Sequence, residues 1–478
     1  MLHVCYGNQL EVLADQLAEH LDNHAVSPLE PELIAVQGHA VSRWLALRLA
    51  TDRGISANNK MLFPAELLWL LFRRVLPEDV PPFNGFSAQT LAWRLLALLQ
   101  SEQFVSRHAA LAHYLKTASP IGQWQLAERL GRQFEQYLIY RPDWIQQWES
   151  EGDTHWQAAL WRRLMTTGDD RHWLNLRTRL VKMMAQEPAA AERLPARITL
   201  FGLPRLSEVY LGILQTIAAY CDVRIYALNY SSVFWADIVS DKERTRQVLS
   251  DQSGLADYME TGNSLLASLG RQGRAYFGQL LELDALDEEV FCPPASNTLL
   301  GQIQSDIFYL REGRDEGVQR EVDPSDSSIQ IHVCHSPMRE VEVLHDRLLD
   351  QFDRQPDLDP AEVLVLVPDI ETYAAYIEAV FGTLTDDRRI PFRIADCGQS
   401  QRTSLIEAFF ALLDMPFGRY DATAVSMPLA EPAIQKQFDL SGTDVDQILY
   451  WVRESGIRWG IDAADMSRLE LPVGEENT

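Results

Sequence analysis

Three polar side chains, Gln37, His39 and Arg43, follow a short apolar run and carry groups that could contact nucleic acid. The run 33–36 has the composition of a buried strand, and a helical pattern begins just after it. A glutamine amide and an imidazole can hydrogen-bond base edges, and a guanidinium can reach a phosphate or a guanine. The plainer interpretation is a Gln-Gly-His turn before a helix, with Trp44 in the core.

Two aromatic side chains further along, Phe63 and Trp69, could stack on unpaired bases. Phe63 comes directly before a proline, and Trp69 stands within the leucine-rich run 67–71. Because leucines flank Trp69 on both sides, packing in the protein core is the alternative use of its indole ring.

Charged and aromatic residues alternate over residues 132–144, a segment that includes Arg132, Glu135 and Arg141. Acidic side chains outnumber arginines over residues 124–173, so this is not a basic patch of the kind that binds phosphates. Packing within a helix bundle accounts for most of the segment. Among its polar side chains, the pattern favours Arg141 for an exposed contact.

The chain lacks the motifs of a nucleotide-binding motor. A phosphate-binding loop needs GxxxxGK(S/T), because stacked N–H groups and the lysine hold the phosphates. Here the first turn is only Gly7-Asn8, and Gly-Lys occurs nowhere. The strand predicted at 198–201 runs into Gly202-Leu203, where a motor would carry an acidic Mg²⁺ ligand. The histidines are scattered and no CxxC pair exists. We therefore expect no catalytic residue, no metal site and no cofactor bound by this chain.

The composition indicates a multidomain globular protein. A chain of 478 residues, 46% hydrophobic, is too long for one core. No run of eighteen apolar residues predicts a membrane span, and no basic leader precedes an apolar segment. Five widely spaced cysteines fit a reducing cytoplasm. The net charge of −26 disfavours an exposed DNA-binding face but is compatible with an internal channel.

The order of apolar runs predicts an α/β fold. Strands are predicted at 3–6, 33–36, 198–201 and 223–228, with helices over 10–21 and 39–49. The stretch from about 64 to 190 is helical almost throughout. Residues 240–325 are polar and acidic, which indicates a loop-rich connector.

Residues 327–349 predict the start of a second α/β domain. Apolar residues alternate over 329–333 as in a strand, and Ser336-Pro337 has the pattern of an N-cap and a first helical residue. The apolar run 363–367 predicts a buried strand, and 392–396 a further one. A helical stretch is expected from about residue 402.

Several long pieces, in order, resemble the RecC family, the gamma subunits of bacterial exodeoxyribonuclease V. They are EPELIAVQ, ANNKMLFPAELLW, FEQYLIYRPDW, NSLLASLGRQGR, IQSDI, the segment 327–349 and WVRESGIRWGID. None is a chemical motif, but their order is specific. The resemblance implies inactive superfamily-one helicase-like (P-loop-NTPase-type) parallel-sheet domains with a large helical insertion. The expected domains are a first helicase-like domain (1–90 plus 191–326), a helical insertion (91–190), the start of a second helicase-like domain (327–400) and a truncated helical insertion (401–478).

The resemblance also implies a function. A protein of this family is a non-catalytic subunit that joins a RecB-like helicase-nuclease and a RecD-like helicase in an ATP-dependent complex, which processes double-strand breaks for homologous recombination. It splits the duplex, channels both strands and recognises a Chi sequence in the 3′-ended strand. ATP and Mg²⁺ are used by the partner subunits. The present chain is expected to be the N-terminal portion of such a protein.

By position, the resemblance implies that eight residues line the DNA channel: Gln37, His39, Arg43, Phe63, Trp69, Arg132, Glu135 and Arg141. Gln37, Trp69 and Arg141 keep the family's residue type, whereas His39, Arg43, Phe63 and Arg132 differ from it. Those differences suggest a recognition sequence other than the usual Chi octamer. Two alternatives stay open. One is a helicase-nuclease subunit of the AddB type, which the lack of a four-cysteine iron–sulfur motif disfavours, and the other is an α/β scaffold that binds only protein.

Overall fold

Six parallel strands form one sheet in the first of two compact units, residues 1–329. They are β1 (Leu2–Gly7), β2 (Glu32–Ala35), β3 (Asn59–Leu62), β4 (Arg197–Phe201), β5 (Asp222–Leu228) and β6 (Leu286–Glu289). Their spatial order is β3-β2-β4-β5-β1-β6, and every pairing is parallel. The prediction of an α/β fold with a parallel sheet is confirmed.

The computed structural model describes residues 1–27, 29–150, 155–166, 170–250, 261–313, 323–383, 388–395, 404–460 and 462. The helices of the first unit are α1 (Leu10–Asn23), α2 (His39–Arg53), α3 (Pro64–Val75), α4 (Ala88–Leu99), α5 (Glu102–Val105), α6 (Ala109–Thr117), α7 (Pro120–Tyr140), α8 (Pro142–Ser150), α9 (Trp156–Thr166), α10 (Trp173–Gln186), α11 (Pro188–Ala191), α12 (Glu208–Ala218), α13 (Asp241–Ser250), α14 (Ser264–Leu269), α15 (Arg271–Leu281) and α16 (Leu299–Phe308). No helix in these ranges is long and apolar enough to cross a membrane.

The four interior strands bury both faces of the sheet, as parallel strands must when helices cover each side. In β2 and the residue after it, Leu33 and Ala35 point to one core while Ile34 and Val36 point to the other. The second core contains the apolar stripes of α1 and α2. The first and larger core contains α3, α12 and the helical insertion. The strand period of two therefore assigns α2 and α3 to opposite faces.

The helical insertion, α4 to α11, connects α3 to β4 and is assembled around the crossing of α4 and α7. At that crossing a Cβ on Gly131 would lie only 2.5 Å from the carbonyl oxygen of Ala88, so the two backbones touch at a position that only glycine fits. The prediction of a helical stretch from about 64 to 190 is confirmed. A polar cluster is buried among these helices, where Glu149 Oε1 accepts hydrogen bonds from Trp161 Nε1 (2.9 Å) and His172 Nε2 (2.8 Å).

The sequence analysis did not predict β3 and β6, and both strands lie at an edge of the sheet. β3 and β6 each pair with a single neighbour. The four residues of β6 are all exposed and three are acidic, so its sequence resembles a loop. Charged residues are common on edge strands because they discourage pairing with other chains. The prediction that 240–325 is a loop-rich connector was therefore wrong, since that stretch contains β6 and the helices α13 to α16.

The second unit, residues 330–478, is helical in its described part. Its helices are α17 (Pro337–Arg354), α18 (Ile370–Phe381), α19 (Ser404–Asp414), α20 (Ala422–Ser426), α21 (Pro432–Gln437) and α22 (Gly442–Glu454), with 3₁₀ turns at Pro360–Glu362, Met415–Phe417 and Met427–Ala430. α17 begins as predicted, because Ser336 Oγ accepts a hydrogen bond from the N–H of Arg339 (3.3 Å). It packs on α18 around Val341, Phe381 and Ile390.

The strands predicted around α17 do not form. Residues 329–333 and 363–367 do not form strands, and Val333 and Leu366 are 95% and 83% exposed. Residues 392–395 are not a strand either, and 396 lies outside the described residues. A strand exists only when a neighbour accepts and donates its backbone hydrogen bonds. The described residues of this unit supply no such neighbour. The apolar pattern alone was therefore insufficient to predict a strand.

Candidate nucleic-acid interface

The carboxyl ends of β2 and β3 position the first group of candidate residues. In open parallel sheets, ligands bind outside the carboxyl ends of the strands, where successive connections leave on opposite faces. That condition is met between β2 and β4, because β2 is followed by α2 on one face and β4 by α12 on the other.

Gln37, His39 and Phe63 all lie at this edge of the sheet. The backbone N–H of Val36 donates to the carbonyl of Leu62 (2.9 Å), which aligns the ends of the two strands. The rings of His39 and Phe63 then meet edge to face with centroids 5.1 Å apart. Gln37 and His39 are exposed, so their polar atoms are available to a ligand.

Arg43 extends this group along α2. It lies four residues after His39, so both side chains share one face of the helix. Arg43 is exposed, and no carboxylate among the described residues forms an ion pair with it. Trp44, by contrast, is partly buried against the second core, with its ring 6.2 Å from that of Phe201, as the sequence analysis favoured.

The end of β1, where a motor would carry its phosphate loop, is closed by protein contacts. The side-chain amide of Asn8 donates to the carbonyl of Cys292 (2.8 Å) and accepts from the N–H of the same residue (2.9 Å). A Cβ on Gly7 would lie 3.1 Å from Leu13 and Val290 side chains. This turn therefore fastens β1 to the segment after β6.

Trp69 lies on α3 in an open pocket of about 590 Å³ between that helix and β3. The pocket is lined by Lys60, Leu62, Ala65, Glu66, Trp69, Leu70, Arg73, Arg74 and Asn84. The indole is half-buried and meets Phe72 edge to face at 6.2 Å, which fixes the ring. Trp69 therefore contributes both to the core and to a surface that a ligand can reach.

The pocket carries a local excess of positive charge. Lys60, Arg73 and Arg74 line it, and none of the three has an ion-pair partner in the part of the chain that the structure describes. Its one carboxylate belongs to Glu66, whose Oε2 accepts from the N–H of Phe63 (2.9 Å) at the start of α3. Arg73 donates through Nη2 to the carbonyl of Pro82 (3.0 Å).

The second group of candidates lies on the helical insertion, and its members have intramolecular partners. Arg132 pairs with Glu128 one turn earlier (2.5 Å) and is largely exposed. Glu135 Oε1 accepts from the N–H of Ala88 at the start of α4 (3.1 Å). Arg141 lies over the ring of Trp144 at 5.7 Å. In the described part of the chain, no hydrogen bond, ion pair or ring contact joins this group to the first.

Sequence reasoning missed Lys60, Arg73 and Arg74. The signal was present, because Glu66, Trp69-Leu70 and Arg73-Arg74 recur at the three-to-four residue spacing of one helix face. It was obscured by the leucines that alternate with them and form the buried stripe of α3. Across the described ranges, no group of three or more His, Cys, Asp or Glu side chains could hold a metal ion.

Comparison with known proteins assigns the family. A model of the RecC N-terminal domain matches residues 2–310, and one of the fourth domain of RecBCD enzyme subunit RecC matches residues 402–478. The chain is 35% identical to RecBCD enzyme subunit RecC of Escherichia coli K12, over 100% of this chain and 47% of that protein. The same subunit is 31% identical in Haemophilus influenzae (96% and 46%) and 30% in Mycobacterium tuberculosis H37Rv (100% and 45%).

The chain spans about half the length of the curated relatives that it matches. The first domain match alone covers more than half of the chain and includes the whole six-stranded sheet. The chain therefore belongs to the RecC family.

Proposed function

We propose that this chain is the DNA-channelling part of a non-catalytic subunit in an ATP-dependent helicase-nuclease complex of the exodeoxyribonuclease V type. The complex repairs double-strand breaks by homologous recombination in the cytoplasm. RecB-like and RecD-like partners supply ATP hydrolysis and Mg²⁺-dependent cleavage, while this subunit splits the duplex and guides the strands. The relatives' name, RecBCD enzyme subunit RecC, supports the assembly.

The observation that carries the proposal is the set of side chains at the carboxyl ends of β2 and β3. Exposed Gln37 and His39 offer donors and acceptors for base edges, and Phe63 packs against His39. Trp69 presents an aromatic surface on the helix that follows. We propose that Arg43, Arg132, Glu135 and Arg141 also line the channel. We further propose the division into helicase-like domains (1–90 plus 191–326, and from 327) with helical insertions (91–190, and from 401).

The test is binding of the 478-residue chain to a labelled single-stranded oligonucleotide over a salt series. A protein that contacts several phosphates shows a steep, linear fall of log K with log salt, with a slope of about −0.7 per contact for single strands. A chain that binds only protein would show no binding to the oligonucleotide at any salt concentration, and the proposal would then be wrong.

We propose in addition that the recognised sequence differs from the usual Chi octamer, because His39, Arg43, Phe63 and Arg132 change the groups offered to the bases. The complete complex should therefore be assayed for Chi-dependent attenuation of nuclease activity on several candidate octamers. A full response to the usual octamer would contradict this proposal while leaving the channelling function in place.

A further inference from the structure

The pocket between β3 and α3 has the chemistry of a site for one unit of a single-stranded nucleic acid backbone. Its cationic side chains come from two elements, because Lys60 lies on β3 while Arg73 and Arg74 lie in the last turn of α3. Lys60 and Leu62 share a face of β3, and it is the face toward α3. Cationic side chains from the strand and from the helix therefore line the same pocket.

The positive charge in this pocket is only partly compensated, because three cations line it with one carboxylate. Glu66, its one acidic member, already accepts the hydrogen bond that begins α3. Arg73 uses one N–H on a backbone carbonyl and keeps its charge. The chain as a whole has a net charge of −26, whereas this pocket has three cations and one carboxylate. A local positive site on an acidic protein attracts a polyanion to one place.

Along α3, the indole ring of Trp69 lies between the two arginines and the strand-end residues Gln37, His39 and Phe63. α3 rises 1.5 Å per residue, so Trp69 lies about 9 Å along the helix from Phe63, and Arg74 about 16 Å from it. The pocket volume of about 590 Å³ is within the range of about 300–1,000 Å³ that is usual for ligand sites. A strand that passes Gln37 and His39 would reach Lys60 and Trp69 first and then Arg73 and Arg74.

We propose that Lys60, Arg73 and Arg74 bind the phosphates of single-stranded DNA, and that Trp69 stacks on the neighbouring base. This inference rests on the proposed function and deepens it. The three cations hold the strand irrespective of sequence, while the residues at the carboxyl ends of β2 and β3 read the bases.

The experiment measures binding of fluorescent oligothymidylate to the 478-residue chain by anisotropy over a salt series. The triple variant Lys60→Gln/Arg73→Gln/Arg74→Gln should reduce the magnitude of the log K versus log salt slope by about 2, at about 0.7 per lost contact. The double variant Lys60→Gln/Arg74→Gln keeps the Arg73 bond to Pro82 and should reduce it by about 1.4. Trp69→Ala should weaken binding by about 5- to 150-fold with an unchanged slope, because it removes stacking and no charge.

The matched control is Lys436→Gln/Arg453→Gln/Arg458→Gln, which removes the same charge from exposed positions of the second unit. If the triple variant and this control change the slope equally, the pocket is not a phosphate site, and its cations serve another anion such as an acidic segment of a protein partner. If the wild-type chain itself does not bind the oligonucleotide, the proposed function fails instead. The two failures are therefore distinguishable.

Discussion

The carboxylate of Glu135 accepts a hydrogen bond from the backbone N–H of Ala88, although 47 residues separate them. Ala88 is the first residue of α4, so its N–H has no partner within the helix. A negative charge at that end also interacts favourably with the helix dipole. Ser87 satisfies another N–H of the same turn, that of Thr90. A residue proposed to face DNA thus also holds a neighbouring helix.

We expect Glu135→Ala to lower the free energy of unfolding by about 1 kcal/mol, because it leaves an N–H at the start of α4 without its partner. Glu135→Gln should retain most of the stability, since the amide oxygen can still accept. Urea unfolding followed by tryptophan fluorescence measures both. The control Glu128→Ala removes an exposed pair on the same helix, worth about 0.2–0.5 kcal/mol. Equal losses from Glu135→Ala and Glu128→Ala would contradict the assigned role.

Asp222, at the start of β5, lies close to three basic side chains. Burial tends to raise the pKa of its carboxyl, but His20 (3.4 Å), Arg224 (3.4 Å) and His3 (3.9 Å) outweigh burial and hold the pKa at about 2. Because the folded-state pKa lies below the ordinary value of 3.8, the carboxylate stabilises the fold above about pH 4. That contribution is lost as the pH falls toward 2.

We expect Asp222→Asn to destabilise the chain by about 1–2 kcal/mol near neutral pH, allowing for solvent screening of a side chain that is 32% exposed. The difference between wild type and variant should shrink between pH 4 and pH 2, where the native carboxyl becomes protonated. Urea unfolding at several pH values measures it. A difference that stays constant over that range would show that the loss comes from packing rather than from charge.

At the scale of elements, the crossing of α4 and α7 depends on one glycine. A Cβ at Gly131 would approach the carbonyl oxygen of Ala88 to 2.5 Å and the nitrogen of Ala92 to 3.0 Å. Both atoms belong to backbone, so relief requires the helices to separate. Glu135 is one turn further along α7, so a shift at Gly131 would also disturb its bond to Ala88.

We therefore expect Gly131→Ala to destabilise the helical insertion by about 1–3 kcal/mol, despite the higher helix propensity of alanine. Gly122→Ala is the control on the same helix, because its Cβ would meet only ordinary contacts at 3.5 Å or more. That control should be neutral or stabilising by about 0.4–1 kcal/mol. Thermal unfolding by circular dichroism compares the two, and a Gly131→Ala protein as stable as wild type would contradict the close crossing.

The position of each strand in the sheet explains which strands could be predicted from the sequence. The interior strands β1, β2, β4 and β5 were predicted because burial on both faces requires continuous apolar runs. β3 and β6 were missed because an edge strand is defined by pairing to one neighbour and tolerates polar residues, as the acidic β6 shows.

The opposite error arose at 329–333, where the apolar alternation of a strand is present without a ladder. Side-chain pattern reports burial preference, whereas strand pairing is a tertiary property. The candidate site shows the same division. The polar residues after the run 33–36 and the family resemblance pointed to Gln37, His39 and Phe63, but the convergence of Lys60 with Arg73 and Arg74 depends on how β3 packs against α3.

At the scale of the whole chain, the distribution of charge separates two kinds of surface. The excess of acidic residues repels nucleic acid in general and favours solubility. The cations of the pocket between β3 and α3 can then attract nucleic acid to one place, because the acidic remainder of the surface repels it. Solubility is opposed by a different feature, the two extended apolar segments 329–333 and 363–367. Their side chains include Ile331, 86% exposed, and Leu364, 80% exposed.

We expect these segments to cause concentration-dependent self-association of the 478-residue chain, because extended apolar backbone without a ladder pairs readily with another copy. Val333→Lys/Leu366→Lys should lower the weight-average mass in sedimentation or light scattering and leave the circular dichroism spectrum unchanged. Phe83→Lys is the control, since Phe83 is 82% exposed but lies in a loop of the first unit. If that control reduces association as much, general hydrophobicity is the cause and the extended segments have no special part. If neither variant changes the mass, the acidic surface already prevents association, and charge rather than strand pairing determines the behaviour of the chain.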